Sequence, residues 1–211
     1  SKAGCAIYNS AQMTLEEVVS VILSAATQQK SVVRLHTGDP CLYGAIREQM
    51  DALDAAGVSY EYVPGVSSFC GAAAALKTEY TLPEVSQSVI ITRMAGRTPV
   101  PPKESIASFA AHGATMVIFL SAGLTESLQR ELLSGGYSPD TPAAIVFKAT
   151  WPEEKVLRCT VGTLHATAQQ NNITHTALIT VGGFLGDDYA RSKLYDPTFT
   201  TAFRKGEVPT V

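Results

Sequence analysis

The sequence has no block of positive charge, no paired cysteines and no long apolar run, and each absence removes a class of function. Sixteen lysines and arginines stand against nineteen acidic residues, a formal charge of −3, and no basic helix is present to neutralise a row of phosphates. Nucleic acid is therefore not expected as a partner. The four cysteines, Cys5, Cys41, Cys70 and Cys159, form no C-x-x-C pair and have no histidine at ligand spacing. No metal site is expected, and a reduced, cytoplasmic setting suits them. No apolar stretch approaches the about 18 residues that span a bilayer, and no signal peptide precedes the first helical pattern, so no membrane partner is expected. G-x-S-x-G, G-x-G-x-x-G and the P-loop lysine signature are missing too. Hydrolase triads, dinucleotide oxidoreductases and phosphate hydrolases lose support accordingly. The 211 residues that remain, 45% of them hydrophobic, suffice for one or two compact domains with a real core.

From Ser31 onward, short β-branched runs each lead into a Gly/Pro loop and a helical stretch, which predicts an α/β fold. Before them, Thr14 and Glu17 form a T-x-x-E capping box for a helix over 14–29 with Leu15, Val18, Val19 and Ile22 on one face. Strand 31–36, helix 40–56 closed by Gly57, strand 60–63 and an Ala-rich helix ending near Leu76 follow, making a first, largely parallel sheet. The polar, proline-bearing stretch 81–87 marks a boundary between domains of residues 1–84 and 85–211. In the second domain the pattern predicts strands over 88–92, 115–121, 143–147, 155–160 and 176–181, and helices over 125–134 and 164–171. The loop at Trp151-Pro152 is too short for a crossover helix, so its flanking strands pair antiparallel and the second sheet is mixed.

The sharpest local feature is Arg34-Leu35-His36-Thr37-Gly38-Asp39-Pro40-Cys41-Leu42-Tyr43-Gly44, a strand running into a Gly-Asp-Pro turn. Gly38 has no side chain to hold a ligand off the backbone, and Asp39 places an acceptor-only carboxylate at a strand's carboxyl end, suited to a ribose diol or an amine. Asp-Pro is equally a plain helix start, with Asp as N-cap and Pro as first helical residue. Pro64-Gly65-Val66-Ser67-Ser68 repeats the arrangement after the next strand, where a turn and a serine cap explain it without a ligand. Farther on, Arg93 and Arg97 concentrate charge in the Gly/Pro loop Thr92 to Pro101, where guanidinium forks match carboxylates. A solvated loop with scattered charges accounts for the same residues. His36, His112, His165 and His175 are dispersed and point to no catalytic cluster.

Leu35 through Gly44, followed by Pro64 through Ser68, resembles a signature block of the tetrapyrrole (corrin and porphyrin) methylases. Glu84-Val85-Ser86-Gln87, Thr92-Arg93, Gly96 through Pro101, Ala111 through Met116 and Lys148-Ala149-Thr150-Trp151-Pro152 are similar to the subgroup that methylates precorrin-4 or cobalt-precorrin-4 at C11 in cobalamin biosynthesis. The likeness runs from about Ala3 to Gly186. It implies two α/β domains with a cofactor trough between them, S-adenosylmethionine as methyl donor, S-adenosylhomocysteine as product, a corrinoid substrate and a homodimer. Carried over by motif, the implied cofactor contacts are Thr37, Gly38, Asp39, Leu42, Tyr43 and Gly44; Ser67 and Ser68; Leu120 and Ser121; Phe147, Lys148 and Ala149; and Thr176, Ala177 and Leu178. Arg93 and Arg97 are expected to grip the substrate's acidic side chains; no catalytic base is identified. Family members open with a strand, a G-x-G-P-G-D loop and a helix that this chain, starting at Ser1, is expected to lack. Another branch of the family, acting on uroporphyrinogen or a different precorrin, and a non-catalytic tetrapyrrole- or nucleotide-binding module remain as alternatives.

Overall fold

The structure is a computed structural model that describes residues 4–207. Ser1 to Ala3, where the expected first domain and the family likeness begin, and residues 208–211, where the second domain ends, lie outside the described residues. The chain divides into two compact units, Ser1–Ser67 and Ser68–Val211.

In the first unit, helix α1 (Leu15–Thr27) starts as expected: the Thr14 hydroxyl accepts from the Glu17 amide and the Glu17 carboxylate accepts from the Thr14 amide. Helix α2 (Arg47–Ala55) begins seven residues later than the sequence indicates. Tyr43 and Ala45 adopt left-handed backbone with φ of 58° and 48°, which no α-helix accommodates, so 40–46 forms a coiled turn. The two expected strands are also corrected. Segments 31–36 and 60–63 carry no strand ladder. Both line a cavity of about 830 Å³, and without inter-strand bonds an extended segment is not a sheet strand. The largely parallel first sheet is therefore not present among the described residues. Leu53 is the buried hydrophobe of this unit among those residues.

The second unit contains one five-stranded mixed sheet, built from β1 (Val89–Arg93), β2 (Thr115–Phe119), β3 (Pro142–Phe147), β4 (Lys155–Thr160) and β5 (Ala177–Val181), in the order β1-β2-β5-β3-β4. Only β1 and β2 run parallel, and β3 pairs antiparallel with β4 through the short Trp151 loop, as expected. The central strands are apolar on both faces, so both must be covered. On one face Met116, Ile118, Ile145 and Ile179 pack with Leu128 and Leu132 of α5 (Thr125–Ser134) and Leu164 of α6 (Leu164–Gln170). On the other, Val117, Ala144, Val146 and Leu178 meet Ala72 and Leu76 of α3 (Ser68–Leu76). That contact explains why α3 groups with the second unit, and the division falls at Ser67 rather than after residue 84. Arg158 holds the end of α3, donating to the carbonyls of Leu76 at 3.0 Å and Leu185 at 3.2 Å, a cation placed at the negative end of a helix. No helix among the described residues is long and apolar enough to cross a membrane.

Gly135, just after α5, shows how tightly this unit packs. A Cβ there would lie 2.4 Å from the Ala107 carbonyl oxygen and 2.5 Å from the Ala110 Cβ of α4 (Ile106–Ala110), while its φ of −82° suits any residue. Overpacking of this kind costs roughly 1–3 kcal/mol. Gly135→Ala is expected to lower the urea midpoint by that amount of stability without changing the denaturant slope, measured by equilibrium unfolding.

Candidate functional site

In the first unit the Gly38-Asp39 turn is organised by one carboxylate. Asp39 Oδ1 accepts from the Tyr62 hydroxyl at 2.7 Å and the Cys41 amide at 2.8 Å, and Oδ2 accepts from the Gly65 amide at 2.9 Å. Asp39 thus ties the turn following segment 31–36 to the turn following segment 60–63. Glycine is needed on both sides. Gly38 has φ +67°, and a Cβ on Gly65 would lie 2.1 Å from the Gly38 carbonyl oxygen. A Cβ on Gly44 would meet the Pro40 carbonyl oxygen at 2.2 Å. Donation by Tyr62, then by Cys41 and Gly65, holds the Asp39 carboxyl well below its ordinary range, and the bond to Asp39 pushes the Tyr62 phenol up to about 12.

Asp39 is therefore no N-cap, since α2 starts at Arg47, and its first role is to join two turns. Oδ2 accepts one bond and retains a lone pair for a hydroxyl or amine. Thr37 and Tyr43 are exposed, Leu42 and Gly44 half-buried, Ser67 buried, and Ser68 exposed as the first residue of α3. Two residues near the turn escaped sequence reasoning. Tyr62 gave no signal, because its partner lies 23 positions away. His36 has a buried Nε2 without a hydrogen-bond partner, and burial, then the Arg34 charge, lowers its pKa.

In the second unit the sheet register gathers the remaining expected contacts. Arg93 pairs with Phe119, Ile118 with Ile179, and Phe147 with Ala177. The ends of β1, β2 and β3 and the start of β5 consequently share one sheet edge. There Leu120, Lys148, Thr150 and Thr176 take left-handed backbone, with φ of 54°, 47°, 72° and 52°. Non-glycine residues seldom adopt it, and such strain concentrates at binding sites. Leu120 is 70% exposed. Its neighbour Ser121 is wholly buried: Oγ accepts from the Met94 amide at 2.9 Å and donates to the Phe119 carbonyl at 2.7 Å. Ser121 therefore braces the edge while Leu120 presents it. The Lys148 amide donates to the Thr176 carbonyl at 2.8 Å. The Lys148 ammonium lies 5.5 Å and 5.0 Å from the Phe147 and Trp151 ring centroids and 3.8 Å from the Glu153 carboxylate, within cation–π reach of both rings. Phe147, Ala149 and Ala177 are half-buried, and the Leu178 side chain packs into the core, leaving only its backbone for a ligand.

The two arginines that the sequence groups together behave differently. Arg93 donates through Nη1 to the carbonyls of Met94 at 3.1 Å and Thr98 at 3.2 Å, and through Nη2 to that of Pro99 at 2.7 Å. Arg97 is exposed.

Loss of the Asp39 carboxylate should be visible without any ligand. Asp39→Ala is expected to return the Tyr62 phenol from about 12 towards the ordinary tyrosine value, read by ultraviolet difference titration. Because the folded carboxyl sits below its unfolded value of about 3.9, its stabilising contribution is complete above that pH and disappears as pH falls through the folded value. An acid unfolding series should lose that dependence in the variant.

Residues 3–165 match the family described as Tetrapyrrole (Corrin/Porphyrin) Methylases. A cobalt-precorrin-4 C(11)-methyltransferase of Methanocaldococcus jannaschii is 50% identical over 206 residues, covering 97% of this chain and 80% of the relative. A precorrin-4 C(11)-methyltransferase of Mycobacterium tuberculosis is 44% identical over 194 residues, covering 91% and 77%. Among solved structures, that of a cobalamin biosynthetic enzyme, cobalt precorrin-4 methyltransferase, superposes with a TM-score of 0.86 at 46% identity, covering 89% of this chain and 78% of the other. With its mixed α/β architecture and its paired glycine turns, the chain belongs to the tetrapyrrole methylases.

Proposed function

We propose that this protein transfers the methyl group of S-adenosylmethionine to C11 of a precorrin-4 or cobalt-precorrin-4 macrocycle in cobalamin biosynthesis. The observation that carries the reading is 50% identity, across 97% of the chain, to a relative named for that reaction. The family membership supports the donor, and the residues present suit it. His36 Nε2 is an unpartnered buried polar atom beside Thr37. Asp39 keeps an acceptor site on Oδ2, and left-handed backbone at the sheet edge coincides with a Leu120 that is open to solvent.

S-adenosylmethionine supplies, when bound, a methyl group on a sulfonium that needs no further activation. The task left to the protein is to hold donor and acceptor carbon close and aligned and to keep water out. In this reading Thr37, Gly38, Asp39, Leu42, Tyr43 and Gly44 meet the donor along one turn, with Ser67 and Ser68 on the next. Leu120, Phe147 to Ala149 and Thr176 to Leu178 are the proposed donor contacts of the second unit. Ser121 contributes by fixing the position of Leu120. The apolar surface of Leu120 and the exposed Trp151 ring suit a macrocycle's flat face, and its acidic side chains call for a guanidinium. A cytoplasmic homodimer completes the proposal.

Calorimetry with S-adenosylhomocysteine is expected to show saturable binding, whereas a macrocycle carrier would give no heat. Mass spectrometry of a reaction with isotopically labelled donor should place one labelled methyl on C11 of the precorrin-4 macrocycle. Label on uroporphyrinogen in its place would move the protein to another branch of the family.

A further inference from the structure

The Arg93 to Pro99 loop assigns different tasks to its two arginines. We propose that Arg93 is a positioning residue that shapes this loop, and that Arg97, at its tip, pairs with a carboxylate of the macrocycle. The inference rests on the methyltransferase reading and specifies how that site recognises an acidic tetrapyrrole.

A guanidinium offers five N–H donors in a fixed plane. In Arg93 they reach the carbonyls of Met94, Thr98 and Pro99 at 2.7–3.2 Å. One of those acceptors lies on the outgoing limb of the loop and two on the returning limb, so the planar fork draws the limbs together. Other bonds fix the same loop. The Ser121 hydroxyl holds the Met94 amide at 2.9 Å, and the Gly96 amide donates to the Thr98 carbonyl at 3.2 Å, bracketing Arg97.

Three of the five Arg93 donors are spent on carbonyls of its own loop, which fixes the fork where those carbonyls lie. Arg97 is not committed in this way. It is exposed, and no hydrogen bond or ion pair engages its side chain among the described residues. It sits on a loop leaving the sheet edge that carries Leu120, Lys148 and Thr176, because Arg93 pairs with Phe119 in the register. A fork on a pre-shaped loop meets a carboxylate in bidentate fashion with less ordering cost than one on a free loop.

The test uses the intact protein and its Arg97→Ala, Arg93→Ala and Arg93→Lys variants. It reads S-adenosylhomocysteine affinity by calorimetry, affinity for a stable octacarboxylic porphyrin by fluorescence at low and high salt, and hydrogen exchange of the Gly96 amide. Arg97→Ala should weaken porphyrin binding about tenfold and flatten its salt dependence, with Gly96 exchange and S-adenosylhomocysteine affinity unchanged. Arg93→Ala and Arg93→Lys should both weaken the porphyrin and speed Gly96 exchange while the salt dependence persists, because a lysine's point charge cannot span three carbonyls. The proposal is overturned if Arg93→Lys keeps wild-type porphyrin affinity and Gly96 exchange, or if Arg97→Ala leaves affinity and salt response intact. If wild-type protein binds neither probe, the methyltransferase reading fails instead, and Gly96 exchange in the Arg93 variants still decides whether Arg93 shapes the loop.

Discussion

The second unit depends on β5 lying in the middle of its sheet and running antiparallel to both neighbours. Were β5 parallel to β2 and β3, its first residues would sit at the opposite edge and Thr176 would be far from Leu120 and Lys148. The reversed direction brings a strand start beside two strand ends. The chain must leave or enter the sheet there within one or two residues, and left-handed backbone at Leu120, Lys148 and Thr176 achieves this. Burial on both faces keeps those turns in place: the core residues of β2, β3 and β5 are nearly all solvent-free, so relaxing a turn would disturb packing against α3 on one side or α5 and α6 on the other.

The first unit solves its positioning problem by charge. There a single carboxylate, with three donors around it, joins two turns that the backbone does not link through a strand ladder. Glycine supplies the close approach and the aspartate the attraction. An anionic acceptor makes stronger hydrogen bonds than a carbonyl, which suits a junction with little buried surface.

Much of the second unit was legible in the sequence. Helix 125–134 and strand 155–160 match residue for residue, because turn residues and apolar alternation agree along those stretches. The antiparallel β3–β4 pair followed from loop length alone. Less was legible before Ser67. An apolar run such as 31–36 announces an extended backbone but carries no information on whether a neighbour completes its hydrogen bonds, and left-handed conformations at Tyr43 and Ala45 have no side-chain signature. The strand-end residues were placed by family resemblance; their strained backbone emerged only from the fold. The bonds that Arg93 makes were not legible for a related reason. Its partners are main-chain carbonyls, which every residue possesses, so no pattern of side chains distinguishes a guanidinium that closes its own loop from one that awaits a ligand.

Ser121 extends the consequence beyond its own position. One buried hydroxyl takes the amide that opens the Arg97 loop and gives its proton to the carbonyl before Leu120. One buried side chain therefore anchors the base of the Arg97 loop and the turn at Leu120 together, so the two segments share a single fixed point.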